Sequence, residues 1–91
     1  MEAVRIVVHG RVQGVWFRAW TREQAVQCGL AGWVRNRRDG TVETLLSGPD
    51  AAVEDMIARC RVGPPAARVD HVERFAADAP DHADFRQLPT A

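Results

Sequence analysis

The alternation of apolar and polar residues predicts a chain in which short strands alternate with two helices. Residues 4–9 form a short, valine-rich apolar run, which is typical of a strand. Residues 17–28 contain neither glycine nor proline, and their apolar positions recur at helical spacing before Gly29, a natural helix stop. These two segments predict a first strand followed by a first helix.

A hairpin is predicted after the first helix. Residues 30–37 and 41–46 are apolar and tolerate the β conformation. The Asp39-Gly40 pair between them is a strong signal for a tight turn. The two segments are therefore expected to pair as antiparallel strands.

The second helix has the clearest amphipathic pattern in the chain. We expect Ser47 to help the chain enter this helix and Pro49 to occupy its first position, followed by acidic residues in the first turn. Gly63 and the two prolines after it end the helix. The apolar residues that repeat at i, i+3, i+4 and i+7 are Val53, Met56, Ile57 and Cys60.

The last part of the chain completes the sheet. Residues 67–75 alternate roughly between apolar and polar and are predicted as a strand. Residues 76–84 are polar and turn-rich, and we expect them to be mobile. Residues 85–88 are a candidate for a short fifth strand. The order β-α-β-β-α-β predicts an α+β fold of the ferredoxin-like split βαβ type, an antiparallel sheet with two helices on one face.

Length and the N-terminal sequence predict the number of domains and the cellular location. A chain of 91 residues predicts a single domain over residues 1–91. No apolar run approaches the roughly 20 residues that a membrane helix needs, so no membrane partner is expected. The N-terminal residues lack the charged and apolar regions of a secretion signal. We therefore expect a cytoplasmic protein, and we expect a monomer because the chain has the size of one small domain.

Charge is balanced overall but unevenly distributed. Residues 1–46 contain seven arginines and four acids, a net charge of +3, and residues 47–91 contain five arginines and eight acids, a net charge of −3. A nucleic-acid-binding domain is usually basic as a whole, so the zero net charge speaks against a nucleic-acid partner. The positive half is the half that contains the candidate site.

The most informative segment lies between the first strand and the first helix. Residues 10–18 read Gly-Arg-Val-Gln-Gly-Val-Trp-Phe-Arg. A glycine-bearing loop that leads into a helix offers backbone N–H groups and a positive helix end to an anion. Arg18 adds a planar fork of donors that suits phosphate or carboxylate. The loop has neither the P-loop pattern nor the GxGxxG pattern, which disfavours a nucleotide site.

Arg18, Asn36 and a nearby arginine cluster each have a structural and a functional interpretation. Arg18 is either a solvated charge or an anion ligand, and the positive helix N-terminus makes a cation without an anion unfavourable there. Asn36, the only asparagine, is either a turn residue or an amide that orients a water molecule, and spacing leaves both open. The cluster of Arg35, Arg37 and Arg38 is either solvated surface or a device that steers anions toward Arg18.

The remaining reactive side chains have structural interpretations. Cys28 and Cys60 are expected to be small buried hydrophobes, because no pairing or metal-ligand spacing connects them. The three histidines show no partner spacing, so no metal and no catalytic histidine is predicted. The three tryptophans are expected to pack in the core and against loops.

Two stretches together resemble the acylphosphatase family. The first is residues 8–18, Val-His-Gly-Arg-Val-Gln-Gly-Val-Trp-Phe-Arg, and the second is residues 32–42, Gly-Trp-Val-Arg-Asn-Arg-Arg-Asp-Gly-Thr-Val, followed by Gly48. The match covers most of residues 8–48, and the rest of the chain fits in length and element order. The resemblance implies the same β-α-β-β-α-β fold and a small free-standing acylphosphatase.

The resemblance also implies an activity and a set of site residues. The reaction is hydrolysis of an acyl phosphate to a carboxylate and inorganic phosphate, without a metal or cofactor. Arg18 matches the arginine that binds the phosphate, and Asn36 matches the asparagine that positions the attacking water. Trp16 occupies a variable position, where an indole can narrow the loop or stack on the acyl group. The loop amides that complete the phosphate cradle belong to Val12, Gln13, Gly14, Val15, Trp16 and Phe17.

Two other classes of function are weighed against hydrolysis. The same domain type occurs in larger proteins such as hydrogenase-maturation carbamoyltransferases, so a non-catalytic binding module is one alternative. RNA binding on a ferredoxin-like sheet is the other, and it needs aromatic side chains on the central strands. Residues 4–9 and 41–46 contain none, which disfavours RNA binding.

Overall fold

The computed structural model describes residues 1–91 and contains seven regular elements. The predicted short fifth strand is present, and each predicted element lies within a few residues of its expected place. In chain order the elements are β1 (Glu2–Arg11), α1 (Phe17–Gln27), β2 (Ala31–Asn36), β3 (Val42–Gly48), α2 (Asp50–Val62), β4 (Arg68–Ala76) and β5 (Phe85–Gln87).

The strands form one sheet in the order β4-β1-β3-β2-β5. β3 runs antiparallel to both β1 and β2, so β1 and β2 point in the same direction. β5 pairs parallel to β2. The carboxyl ends of β1, β2 and β5 therefore meet at one edge of the sheet, and the segments that follow these three strands are brought together there. This confirms the ferredoxin-like α+β fold.

The core lies between the two helices and one face of the sheet. Alternate residues of β1, namely Val4, Ile6 and Val8, point into it, as the period of a strand requires. The apolar face predicted for α2 is confirmed, because all four of its residues are buried: Val53, Met56, Ile57 and Cys60. No helix is long and apolar enough to cross a lipid bilayer.

A bulge at the end of β1 directs the chain into the loop. The pairing of β1 with β4 changes register between His9 and Gly10. Gly10 has a φ of 132°, and a Cβ at this position would lie 2.1 Å from the backbone oxygen of Arg68. Only glycine fits this close approach, since any other side chain would collide with the neighbouring strand.

The start of α2 differs from the prediction. Ser47 is buried inside β3, which continues to Gly48, so it does not help the chain enter the helix. Pro49 is the residue before the helix, and Asp50 is its first residue. β3 is longer than expected because its partners β1 and β2 both pair with Ser47. The expected acidic residue in the first turn is present as Asp50.

The sheet face opposite the helices carries a charged network. The Glu43 carboxylate is only 8% exposed and accepts bonds from Arg5 at 2.9 Å and Arg35 at 2.7 Å. These guanidinium groups also lie over aromatic rings, Arg5 above Phe75 at 4.4 Å and Arg35 above Trp33 at 4.7 Å. Arg35 is thus held by Glu43 on the face of the sheet opposite the helices, and its proposed steering of anions toward Arg18 stays a prediction.

The tryptophans divide into three environments. Trp20 packs against the core and meets Phe17 edge to face at 5.4 Å, as expected. Trp33 lies on the helix-free face beneath Arg35, and Trp16 is 81% exposed on the loop. The prediction that all three pack in the core or against loops is therefore confirmed for Trp20 and wrong for Trp33 and Trp16.

Candidate active site

One cavity forms where the carboxyl ends of the three parallel strands meet. Its volume is about 310 Å³. The loop after β1 and the first turn of α1 supply most of its wall, while β2 and β5 each contribute their last residue. The lining residues are Val12, Gly14, Trp16, Phe17, Arg18, Ala19, Asn36 and Gln87.

Two left-handed residues shape the loop. Gly14 has a φ of 72°, a conformation that glycine adopts freely, and there is open space where a Cβ would lie. Trp16 has a φ of 68° and is the only residue other than glycine with a positive φ. This conformation costs an L-residue roughly 1–2 kcal/mol. The chain thus bears backbone strain at the residue that immediately precedes α1.

The start of α1 leaves its amides free for an anion. Trp16 caps the helix without a side-chain hydrogen bond, and the first turn contains no acidic residue. The N–H of Trp20 donates to the carbonyl of Trp16 at 2.9 Å, and this closes the first turn. The N–H groups of residues 17–19 precede that bond and have no intrahelical acceptor, so they face the loop with partial positive charge.

Gln13 anchors the loop to the β2–β3 hairpin. Its amide nitrogen donates to the backbone oxygens of Arg37 at 2.7 Å and Thr41 at 2.8 Å. The hairpin itself is tied by Asp39, which accepts bonds from the hydroxyl and the N–H of Thr41 at 2.6 and 3.0 Å. These bonds lower the pKa of Asp39. The loop is therefore fixed against a preorganised turn.

Two residues of the predicted cradle do not line the cavity with their side chains. The side chain of Gln13 points to the hairpin, and that of Val15 is buried, 7% exposed. Their part in a cradle is limited to backbone N–H groups. The other predicted loop residues, Val12, Gly14, Trp16 and Phe17, do line the cavity.

Arg18 is a cation without a carboxylate partner. It is half-buried in the first turn of α1, and no acidic side chain lies within ion-pair distance of it. One of its terminal nitrogens, Nη1, donates to the carbonyl of Leu88 at 3.1 Å. That bond orients the guanidinium, which lines the cavity next to the positive end of the helix. The arrangement favours an anion, since an anion here would interact with both the guanidinium and the positive end of the helix.

Asn36 is the last residue of β2 and lies outside the hairpin turn. Its backbone oxygen accepts the N–H of Ala91 at 2.9 Å, while its side chain makes no hydrogen bond within the protein. The turn interpretation is therefore wrong, and the free carboxamide lines the same cavity as Arg18. Such an amide can donate to one group and accept from a water molecule.

The C-terminal segment is a part of the site that the sequence did not indicate. Gln87 lines the cavity, and Leu88 supplies the carbonyl that orients Arg18. The segment is held by bonds from Leu88 N–H to the oxygen of Val34 at 2.8 Å and from Arg38 N–H to the oxygen of Ala91 at 3.1 Å. A three-residue strand has no distinctive pattern, so no sequence signal identified these residues.

The two cysteines and the only serine, which are potential nucleophiles, lie outside this cavity. Cys60 is fully buried in the core, and burial raises the pKa of its thiol to about 12, which makes it inert. Cys28 is only half-buried, which corrects the expected full burial, and partial burial raises the pKa of its thiol too. Ser47 is buried in β3. The chemistry of the cavity therefore belongs to Arg18, two carboxamides and backbone amides.

The fold and the cavity define an α+β protein with an arginine-lined cavity at one sheet edge, and the protein can now be compared with known proteins. The acylphosphatase profile matches residues 4–87. An acylphosphatase of Rhodospirillum rubrum is 54% identical over 90 residues, which cover 99% of each chain. The crystal structure of acylphosphatase from Bacillus subtilis superimposes with a TM-score of 0.91 at 37% identity, covering 97% of this chain and 99% of that one.

A longer protein contains a similar region. The crystal structure of HypF from T. kodakarensis superimposes with a TM-score of 0.79 at 32% identity, covering 99% of this chain but 12% of HypF. The relatives that match over nearly their whole length are the acylphosphatases. This chain belongs to the acylphosphatase family, and it is an enzyme that hydrolyses acyl phosphates.

Proposed function

We propose that Arg18 and the loop amides bind the phosphate group of the acyl phosphate, that Asn36 positions the attacking water, and that no metal takes part. One observation carries this proposal. A single cavity is lined by an arginine without a carboxylate partner and by an asparagine without a side-chain partner. Both groups are thus available to substrate and water at the point where the helix N-terminus attracts an anion.

The chemistry suits a site with few side chains. The water oxygen attacks phosphorus, the bond between phosphorus and the acyl oxygen breaks, and the carboxylate leaves with both electrons. A carboxylate is a good leaving group, so little acid assistance is needed. Catalysis of phosphoryl transfer is mostly positioning together with stabilisation of the equatorial oxygens. Arg18 and the amides of the loop stabilise the equatorial oxygens, and Asn36 positions the water.

The proton of the attacking water goes to the substrate in this mechanism. An asparagine amide is not a base, and no carboxylate or histidine lines the cavity. A phosphate oxygen of the substrate lies next to the water and accepts one proton while the other stays on the attacking oxygen, so the immediate product is dihydrogen phosphate. Asn36 then has one task, which is to hold the water in line with the bond that breaks.

Hydrolysis in the absence of metal tests the proposal directly. Purified wild type is incubated with a simple acyl phosphate such as acetyl phosphate in excess chelator, and released phosphate is measured. We expect full turnover, because the proposed cradle needs no cation. Loss of turnover that a divalent ion restores would contradict the metal-free mechanism. A folded protein that binds inorganic phosphate without turnover would indicate a binding module instead.

The proposal also covers the domain organisation, the oligomeric state and the cellular location of the chain. We infer that residues 1–91 act as one domain and as a monomer, because a single core joins both helices to one sheet. The free thiols of Cys28 and Cys60 suit the reducing cytoplasm. The two large aromatic side chains of the helix-free face, Trp33 and Phe75, each have an arginine guanidinium above the ring, which disfavours the stacking of nucleic-acid bases on them.

Trp16 is proposed to contact the acyl group. Its ring is exposed at the cavity wall, on a backbone that holds it in an unusual conformation. Replacing Trp16 by Ala should raise the KM for benzoyl phosphate by about three- to tenfold, the worth of one aromatic contact. The KM for acetyl phosphate, which has no ring, should change by less than about twofold. Equal effects on both substrates would show that Trp16 serves the loop and not the acyl group.

A further inference from the structure

A second cluster of side chains lies on the helix-free face of the sheet, at the end of β1 and within β4. His9 and His71 stand directly opposite each other in the antiparallel pairing, and their rings stack with centroids 4.1 Å apart. Glu73 lies two residues after His71 and so points to the same face. Its carboxylate is 2.5 Å from Nε2 of His9. The three residues make no contribution to the cavity that holds Arg18.

We propose that His9, His71 and Glu73 form a binding site for one Zn²⁺ ion. One ligand atom from each residue lies within 4.8 Å of the other two. Two imidazoles and one carboxylate are a donor set that zinc uses with a fourth position left for water. Tetrahedral zinc with bonds of about 2.0–2.1 Å needs donor atoms about 3.3 Å apart. The donor atoms that lie farthest apart must therefore approach by at most about 1.5 Å, and Nε2 of His9 and the Glu73 carboxylate, 2.5 Å apart, must separate by about 0.8 Å.

The surroundings allow this movement. The side chains of His9 and Glu73 are 31% and 47% exposed, and His71 is exposed, so all three can change rotamer without repacking the core. The backbone positions are already fixed by strand pairing, which brings cross-strand Cβ atoms to about 4.5–5.5 Å. A bound ion would replace the hydrogen bond between His9 and Glu73 with two coordination bonds.

The Glu73 carboxylate is free of arginine partners. The carboxylate of Glu73 pairs with His9 and with no arginine. Arg5 and Arg35, which lie on this face in β1 and β2, are both engaged by Glu43. Glu73 is held by no guanidinium, so a bound ion would displace only its bond with His9. Because these residues lie outside the cavity, zinc bound here takes no part in the hydrolysis proposed above.

A zinc titration of the tag-free full chain at neutral pH tests the site. We expect one Zn²⁺ per chain with a micromolar dissociation constant, measured by calorimetry. His71→Ala and Glu73→Gln should each weaken the affinity by at least about tenfold, because each removes one ligand. The ring signals of His9 and His71 in NMR spectra should shift on zinc addition, and the signal of His82 should not.

Two control variants separate this site from the other metal-binding side chains. His82→Ala and Cys28→Ser remove an imidazole and a half-buried thiol away from the cluster, and both should bind zinc as the wild type does. Glu73→Gln lies on the surface and preserves shape, so it keeps the test valid if His71→Ala fails to fold. The proposal is overturned if the wild type does not bind zinc, or if Cys28→Ser loses binding that Glu73→Gln retains.

Discussion

Replacement of Arg18 by Gln is expected to remove both phosphate binding and turnover. Arg18 is the only basic side chain that lines the cavity. An arginine that neutralises a transferring phosphoryl group contributes about 10³–10⁵-fold to turnover. We expect kcat/KM to fall by at least about 10³-fold, which corresponds to about 4 kcal/mol of transition-state stabilisation. Inorganic phosphate, a competitive inhibitor of the wild type in this mechanism, should no longer inhibit at comparable concentrations.

Arg22 provides a matched control on the same helix. It lies one turn after Arg18, is exposed, and does not line the cavity. Arg22→Gln should leave kcat/KM within about twofold of the wild type, because the Arg22 side chain is exposed to solvent and does not line the cavity. Thermal unfolding of both variants checks that the fold is intact. If Arg18→Gln folds and retains most of the activity, the phosphate is not held by this arginine.

The architecture was predictable because local signals agreed with the global fold. The apolar face of α2 and the Asp39-Gly40 turn each permitted one interpretation, and both elements are found where they were expected. The errors lie where tertiary pairing overrides local preference. Ser47 and Gly48 look like the start of a helix, but two neighbouring strands pair with Ser47 and keep it in β3. Only the register of the sheet decides such a boundary.

The candidate site was predictable in part. Arg18 follows from a loop that leads into a helix, since the physics of helix termini acts within one segment. Spacing left Asn36 undecided, because its meeting with Arg18 depends on β1 and β2 being parallel and separated by β3. Gln87 and the Leu88 carbonyl come from a strand too short to show a period. The pairing of His9 with His71 across two strands likewise leaves no trace in sequence spacing.

Replacement of Asn36 by Ala is expected to separate binding from turnover. The side chain of Asn36 meets the water in this mechanism and leaves the phosphate to Arg18 and the amides. Misplacement of a reacting group by about 1 Å can cost roughly 10²-fold. We therefore expect kcat to fall by about 10²-fold while the inhibition constant of inorganic phosphate changes by less than about twofold. Steady-state kinetics with acetyl phosphate and phosphate as inhibitor measure both quantities.

Gln87 distinguishes a specific role of Asn36 from a general loss of polarity in the cavity. It is the other carboxamide that lines the cavity, and Gln87→Ala removes a group of the same chemistry from the neighbouring strand β5. This control should lower kcat by less than about threefold, because one in-line water needs one anchor. The backbone bond from Ala91 to Asn36 persists in Asn36→Ala, so the C-terminal segment that orients Arg18 stays in place. A wild-type kcat in Asn36→Ala, or an equal loss in Gln87→Ala, would show that Asn36 is not the residue that positions the water.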